Sequence, residues 1–151
     1  MFQLMLRLIF VCTSDLYNIY MQAGIEEFSR AFPGWPVAGI RVQKGILHLK
    51  SVSSLAGIEL IAVSNTEAGR KVWREIETNA HFKYNKLEFP DNNGANCLFV
   101  NGVVLHPSNE DYPHSHKVWE TLKCPRVSVP NGELAKADGS LTCNSIRIFE
   151  K

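Results

Sequence analysis

The chain has 151 residues, of which 45% are hydrophobic and 21% charged, and its formal net charge is +1. This length fits one domain that can bury a sizeable core. The near-zero net charge argues against nucleic acid or an anionic membrane as a partner, because neither would be attracted over a distance. A small ligand that is zwitterionic or carries little net charge fits this composition better.

The cysteines are too few and too scattered for a disulfide framework or a zinc finger. There are four, none of them in a C-x-x-C pair: Cys12, Cys97, Cys124 and Cys143. No Cys/His spacing matches a structural zinc site. We therefore expect reduced thiols in a cytoplasmic protein.

The first 20 residues form a segment that we predict to contain a strand and a loop. The run MFQLMLRLIFVCTS is apolar but is interrupted by Arg7, and it is too short to span a bilayer. A buried strand around residues 6–11 explains a short apolar run best. The alternative is a targeting signal, although no clear cleavage site follows the run.

A helix is predicted over residues 21–32, where Pro33-Gly34 ends it. Residues 37–42, VAGIRV, are predicted to be a strand. Residues 45–52, GILHLKSV, alternate with a period of two, which also predicts a strand and places His48 in its middle.

The next segment repeats the succession of strand, helix and strand. Residues 58–64, IELIAVS, form an apolar run typical of a buried strand. Ser64 or Asn65 can cap the helix that follows. This helix carries four apolar residues, namely Ala68, Val72, Trp73 and Ile76. A short strand, NKLEF, then ends at Pro90.

A hairpin is predicted within residues 95–106, because Asn101-Gly102 is a strong turn dipeptide. The alternative is one long strand with a bulge at Gly102. Residues 108–111 resemble a capping box with Asp in place of Glu. They predict a helix beyond them that carries Val118, Trp119 and Leu122.

The remaining predicted elements are a strand at 126–129, a short helical turn within 131–140 and a last strand over 141–149. The order is strand, strand, helix, strand, and then much the same again. We therefore predict a mixed α/β fold built from a ββαβ-like unit used about twice. No repeat is visible at the level of single residues.

Cys143 is a candidate nucleophile because it follows the flexible pair Gly139-Ser140, in the kind of segment that carries function. A nucleophilic cysteine needs a base within reach and surroundings that favour the thiolate. The alternative is a small buried hydrophobic residue at the start of the last strand. Cys97, within an apolar strand, and Cys124, before a proline, are weaker candidates.

His48 is the candidate partner of this thiol, because a polar residue inside an apolar strand must be either satisfied or functional. The alternative is a structural histidine held by hydrogen bonds. His114 and His116 are two positions apart and diverge on a helix, so we expect a solvated face and no metal pair. His81 lies in a predicted loop, and His106 ends a strand before a proline.

Three stretches in this order and spacing resemble the C-terminal half of the dimethylarginine dimethylaminohydrolase (dimethylargininase) family. They are GILHLKSVSSLAG, NKLEFPDNNGANCLFVNGVVLHPSNEDYPHSHKVWETLK and LAKADGSLTCNS. The resemblance runs from about Gln22 to Ile148, so residues 21–151 are interpreted as a partial domain of this family.

The resemblance implies a pentein fold, an α/β propeller of five ββαβ modules, of which this chain would form about half. It also implies that Cys143 is the nucleophile and His48 the acid and base. A backbone contact to the α-amino group of the substrate would fall on Ala137, beside Asp138. No cofactor is implied. Cys143 and His48 could hold an inhibitory zinc ion, as a thiolate and an imidazole can.

The reaction that the resemblance implies is hydrolysis of Nω-methylated arginine to citrulline and methylamine or dimethylamine, a reaction of arginine metabolism and nitric oxide regulation. Two alternatives stay open. One is a catalytically silent fragment that acts as a binding or interaction module. The other is a different guanidino-modifying pentein, such as an arginine deiminase.

The chain departs from the family pattern in two ways. The carboxylates that pair with the guanidinium group, and one arginine that holds substrate, belong to the N-terminal half of the family. A second arginine should precede the first helix, but Ile19 stands roughly in its place. We therefore expect weak or absent activity, and open sheet edges through which two copies could associate.

Overall fold

The structure of the protein, a computed structural model, describes residues 9–14, 18–46, 48–80, 83–146 and 148. The eight strands are β1 (Ile9–Ser14), β2 (Val37–Val42), β3 (Ser53–Gly57), β4 (Leu60–Ser64), β5 (Asn85–Phe89), β6 (Leu98–Val100), β7 (Val103–Pro107) and β8 (Arg126–Val129). The four α-helices are α1 (Asn18–Ala31), α2 (Glu67–Asn79), α3 (Pro113–Trp119) and α4 (Gly132–Ala135). No helix in these ranges has the length and hydrophobicity to cross a membrane.

The strands form three small sheets. β1 pairs with β2 in parallel across α1. The second sheet has the order β3-β4-β5 and the third the order β6-β7-β8. In each of these two sheets the first pair of strands is antiparallel and the second pair is parallel.

These two sheets confirm the predicted ββαβ unit and its use twice. We name residues 53–89 the first unit and residues 98–129 the second unit. In each, a hairpin is followed by a helix and then by a strand parallel to the second strand. The hairpin turn of the second unit is Asn101-Gly102, where both residues have positive φ, as the dipeptide predicts.

The buried residues form two clusters. In the first cluster, α2 packs on β2 and β4 through the four apolar residues that its periodicity predicts, and all four are buried. The second cluster lies between the two units and surrounds Trp119. The centroid of the Trp119 ring lies 4.2 Å from the centroid of the Phe89 ring. The two units are thus joined by a shared core.

The structure corrects the predicted helix starts. Helix α1 begins at Asn18, before the predicted residue 21, and part of the predicted first strand at 6–11 lies outside the described residues. Thr66, rather than Ser64 or Asn65, caps α2, because its hydroxyl accepts the Gly69 amide hydrogen. Helix α3 begins at Pro113, although one bond of the predicted capping box is present just before it: the Asp111 amide donates to the Ser108 hydroxyl.

Two predicted strands are wrong. In the described part of residues 45–52, Gly45 lies in a turn and Leu49–Ser51 form a short 3-10 helix, and the strand comes afterwards, as β3. Residues 141–144 form a turn, and the described residues beyond it are not a strand. The side chains of Ile146 and Ile148, which would pack inside a last strand, are 91% and 84% exposed.

Candidate active site

A cavity of about 360 Å³ lies beside the 3-10 helix that precedes β3. Ten residues line it: His48, Leu49, Lys50, Ser51, Asn93, Asn96, Asp138, Ser140, Thr142 and Cys143. They come from three segments that are distant in the chain. The two residues that the sequence singles out for chemistry, His48 and Cys143, both lie at this one cavity.

His48 is placed by the 3-10 helix that replaces the predicted strand. It is the last extended residue before that helix, and its carbonyl accepts the Ser51 amide hydrogen at 3.0 Å. The segment is fixed at its far end because Val52 is fully buried and its carbonyl accepts the Ser64 amide hydrogen. The imidazole of His48 is exposed rather than buried in a sheet.

Cys143 is placed by the turn at 141–144. Leu141 is buried and anchors the start of this turn. The carbonyl of Ser140 accepts hydrogen bonds from the amides of Cys143, at 3.0 Å, and Asn144, at 3.2 Å. The Cys143 side chain is exposed, so it is not the buried core thiol of the alternative interpretation.

Asp138 reaches the same cavity from the turn that follows α4. Its φ of 61° lies in the left-handed region, which Asp tolerates better than most residues. The turn is closed by amide hydrogen bonds from Asp138 to Ala135 and from Gly139 to Leu134, both at 3.0 Å. Ala137 is exposed in this turn but is not among the residues that line the cavity.

Asn96 is a site residue that the sequence interpretation missed. It is buried, yet it lines the cavity and bonds to both neighbouring segments. Its side-chain amide donates to the Lys50 carbonyl at 2.8 Å and to the Thr142 hydroxyl at 2.9 Å. The signal available in the sequence was a polar residue between Ala95 and Cys97, at the start of an apolar run.

The charges at the cavity are few. Among the described residues that line the cavity, Lys50 and Asp138 carry a charge, and His48 and Cys143 are the candidate reacting groups. The described residues contain no cluster of three or more His, Cys, Asp or Glu side chains that could hold a metal ion. An inhibitory zinc ion on Cys143 and His48 alone stays a prediction.

Two of the other cysteines, Cys97 and Cys124, lie in the second cluster or at its edge. Cys97 is buried, and its thiol lies 3.5 Å from the Leu55 carbonyl oxygen. Burial raises the pKa of the Cys97 thiol, so the thiolate is disfavoured there. Cys124 is half-buried against the same cluster. Neither lines the cavity.

The other described histidines also lie away from the cavity. His106 is buried and stacks on Trp119 with a centroid distance of 5.3 Å. His114 is exposed, as predicted, but His116 is half-buried and its ring lies 5.5 Å from that of His106. The solvated face predicted for His116 is therefore wrong. His81 lies outside the described residues.

The cavity thus combines an exposed thiol, an exposed imidazole, a carboxylate and an ammonium group. A thiol can attack an electron-poor carbon, and an imidazole can deliver and accept the protons that such a reaction needs. This set of groups suits hydrolysis or group transfer at an electron-poor carbon atom.

Comparison with known proteins shows which proteins the chain is similar to in sequence and in fold. No protein-family model matches the chain. The human protein DDAH2 is 28% identical over 127 residues, which are 79% of this chain and 44% of that protein. The bovine protein DDAH2 is 26% identical over a match with the same coverage. The chain therefore spans about half the length of the curated relatives it matches.

Solved structures show the same fold. A dimethylarginine dimethylaminohydrolase bound to S-methyl-L-thiocitrulline superposes with a TM-score of 0.67 and 20% identity, over 91% of this chain and 50% of the other. The enzyme of the same name from Pseudomonas aeruginosa, complexed with citrulline, gives 0.62 and 19%, over 93% and 51%. Agmatine deiminase from C. jejuni gives 0.61 and 17%, over 89% and 50%. The chain is therefore similar in sequence to about half of the DDAH2 proteins, and it shares its fold with about half of these dimethylarginine dimethylaminohydrolase and agmatine deiminase structures.

Proposed function

We propose that the chain hydrolyses the guanidino group of Nω-methylated arginine, giving citrulline and methylamine or dimethylamine, with Cys143 as nucleophile and His48 as acid and base. The observation that carries this proposal is that both side chains are exposed at one cavity although 95 positions separate them in the sequence. The resemblance to the dimethylargininase family suggests the class of substrate.

The first half of the reaction uses the thiol. The guanidinium carbon is electron-poor but stabilised by resonance, and attack by the Cys143 thiolate forms a C–S bond and a tetrahedral adduct. His48 protonates the methylated nitrogen as its bond to this carbon breaks, so that a neutral amine departs. An S-alkylthiouronium remains on Cys143.

The second half uses water. His48, now neutral, accepts a proton from a water molecule that attacks the same carbon. The C–S bond then breaks as the hydroxyl proton of this second adduct passes to the sulfur atom, and citrulline and the free thiol are released. No cofactor enters either half, because the substrate and one water molecule supply all the atoms of the products.

The substrate's charge complements part of the cavity. The carboxylate of Asp138 can attract a guanidinium or α-amino group, and the ammonium group of Lys50 can attract an α-carboxylate. We place the substrate backbone at residues 137 and 138, as the family resemblance implies. With one carboxylate among the described lining residues, guanidinium binding is weak, and we expect low turnover.

The test is incubation with asymmetric dimethylarginine and a colour assay for citrulline. We expect slow citrulline formation by the parent chain, none by Cys143→Ser, and unchanged formation by the matched control Cys124→Ser. Folding of each variant is checked by circular dichroism. No citrulline from well-folded parent protein, or equal citrulline from the Cys143→Ser variant, would remove this proposal.

A second candidate function is binding without turnover. It is favoured because Asp138 is the one carboxylate among the described residues that line the cavity. The chain also spans about half the length of its curated relatives. Calorimetric titration of Cys143→Ser with asymmetric dimethylarginine separates the two functions. Saturable binding without citrulline formation by the parent chain supports this candidate.

A third candidate is a deiminase-like preference for arginine itself. Competition between arginine and methylated arginine tests it.

The proposal extends to the larger assembly. We infer that residues 21–151 form part of a propeller of ββαβ units in a cytoplasmic protein, with sheet edges open to a second copy. The strand orders β3-β4-β5 and β6-β7-β8 support this, because two successive units already share one topology.

A further inference from the structure

We propose that Asn96 is a positioning residue that holds the His48 segment and the Cys143 segment at their common cavity. Its effect on catalysis rests on the function proposed above, whereas its effect on the two segments does not. Asn96 acts through the segments it bonds to and not on the reacting atoms.

The hydrogen bonds of Asn96 reach both segments. Its Nδ2 donates to the Lys50 carbonyl at 2.8 Å, two residues after His48, and to the Thr142 hydroxyl at 2.9 Å. Its Oδ1 accepts the Thr142 amide hydrogen at 3.1 Å, one residue before Cys143. Asn96 is therefore a direct side-chain link between the two sides of the site.

Every polar atom of the Asn96 side chain has a partner in these contacts. A primary amide offers two donor hydrogens and one acceptor oxygen, and each has a partner here. Asn96 is also 2% exposed, so water does not replace a lost partner easily. Removal of the amide would take a hydrogen-bond partner from the part-buried Lys50 carbonyl and from the hydroxyl and amide of Thr142, which disfavours the arrangement that joins the two segments.

The loop that carries Asn96 is itself fixed to the second unit. The Ser115 hydroxyl donates to the Asp91 carboxylate at 2.8 Å, and the Trp119 indole donates to the Gly94 carbonyl at 3.1 Å. A Cβ on Gly94 would overlap the Ser115 side chain, so helix and loop are in direct contact. Asn96 can position its partners because its own backbone is held.

Asn131 provides a matched comparison. It is also buried, and its Nδ2 donates to the Gly139 carbonyl at 2.6 Å, on the Cys143 side of the cavity. Its backbone amide donates to the Asp111 carboxylate at 2.8 Å. None of its hydrogen bonds goes to residues 48–52. Loss of the Asn131 side chain should therefore loosen one side of the cavity only.

The first test measures amide hydrogen exchange by NMR in Asn96→Ala and Asn131→Ala. In Asn96→Ala we expect the amides of Thr142 and Ser51 to exchange about tenfold faster. The Thr142 amide loses its acceptor, and the turn that contains Ser51 loses the hydrogen bond at the Lys50 carbonyl. In Asn131→Ala we expect faster exchange around residues 139–144 and unchanged exchange at Ser51. Unchanged exchange at Ser51 in Asn96→Ala, or equal acceleration there in Asn131→Ala, would overturn the proposal.

A second variant guards against loss of folding in Asn96→Ala. Thr142→Val preserves the shape of the side chain but removes the hydroxyl that accepts from Asn96. We expect it to accelerate exchange at the residue 142 amide by a smaller factor. If this variant exchanges like the parent, the link to the Cys143 side is refuted.

The kinetic test uses the citrulline assay. We expect Asn96→Ala to lower kcat by one to two orders of magnitude with little change in KM, because misplacement by about 1 Å can slow a reaction a hundredfold. An unchanged kcat in a folded variant would refute the catalytic part of the proposal. If the parent makes no citrulline, the proposed function fails, and the exchange experiment still decides the role of Asn96.

Discussion

The two ββαβ units have the same strand topology but use their helices differently. In the first unit, α2 has 13 residues and buries an apolar face that includes Val72, Trp73 and Ile76. In the second unit, α3 has seven residues and buries two, Ser115 and Trp119. The longer helix stabilises its unit by burying apolar surface along one face, and the shorter helix does so through a few specific contacts.

This difference explains how one topology can occur twice without a residue-level repeat. The first unit needs only apolar residues at helical spacing, which many sequences supply. The second unit places polar atoms of α3 against the loop that leads to Asn96. Stability is therefore spread over many residues in the first unit and concentrated at Trp119 in the second.

The largest effect is expected from Trp119→Ala. Trp119 is fully buried, contacts Phe89 and His106, and donates to the Gly94 carbonyl. We expect it to lower the free energy of unfolding by about 3–5 kcal/mol, measured by urea denaturation. The control is Val118→Ala, a half-buried neighbour on the same helix. Equal losses in the two variants would show that stability is not concentrated at Trp119.

A smaller effect is expected from Thr66→Ala, in the first unit. The Thr66 hydroxyl caps α2 at the Gly69 amide and donates to Asn92, in the loop between the units, at 2.8 Å. We expect a loss of about 1–2 kcal/mol in thermal or urea unfolding. The control, Thr78→Ala, removes an exposed hydroxyl near the end of the same helix and should change stability by less than about 0.5 kcal/mol.

The smallest effect is a pH dependence of the second unit. Burial lowers the pKa of His106, the hydrogen bond with Pro107 opposes this, and nearby His116 and Arg126 lower the pKa further. The unfolded chain therefore binds the proton more tightly than the folded chain does. The contribution is complete above the unfolded pKa of about 6.5 and is lost as the pH falls from there toward the folded pKa.

The measurement is the urea midpoint between pH 7.5 and 5.5. We expect the midpoint of the parent to fall with decreasing pH, and the fall to be smaller in His106→Phe, which keeps an aromatic ring beside Trp119. His114→Ala, at an exposed position, should follow the parent. A parent midpoint that rises as the pH falls would contradict the sign of this effect.

The sequence predicts those elements of the fold whose signals are local. β2, β5 and β8 have the predicted bounds, since each is an apolar or alternating run with turn residues beside it. β3 was missed because Ser53, Ser54 and Ala56 carry little strand preference. Their burial in β3 comes from packing against β4 and β6, which the local sequence does not reveal.

The two false strands fail for different reasons. Residues 45–52 alternate like a strand, but Gly45 has a φ of 93° and the hydrogen bonds after His48 close a 3-10 turn. Residues 141–144 turn because Ser140 accepts from two backbone amides and from the side chain of Asn144. Such side-chain bonds to the local backbone compete with strand formation.

The candidate site was predictable as a pair of residue types but not as a geometry. His48 and Cys143 were singled out as a polar residue in an apolar stretch and as a thiol after a flexible turn. Asn96 was not singled out, because its importance lies in partners on two distant segments. A single sequence does not reveal hydrogen bonds between residues that are 46 positions apart.

The central place of Asn96 in the chain has a consequence for folding order. Lys50 and Thr142 each lie 46 residues from it, whereas every sheet joins strands that are consecutive in the chain. Contacts between near neighbours close with a smaller loss of chain entropy and form faster. The sheets should therefore assemble first. The cavity should form only when the Lys50 segment and the Thr142 segment both bond to the Asn96 side chain.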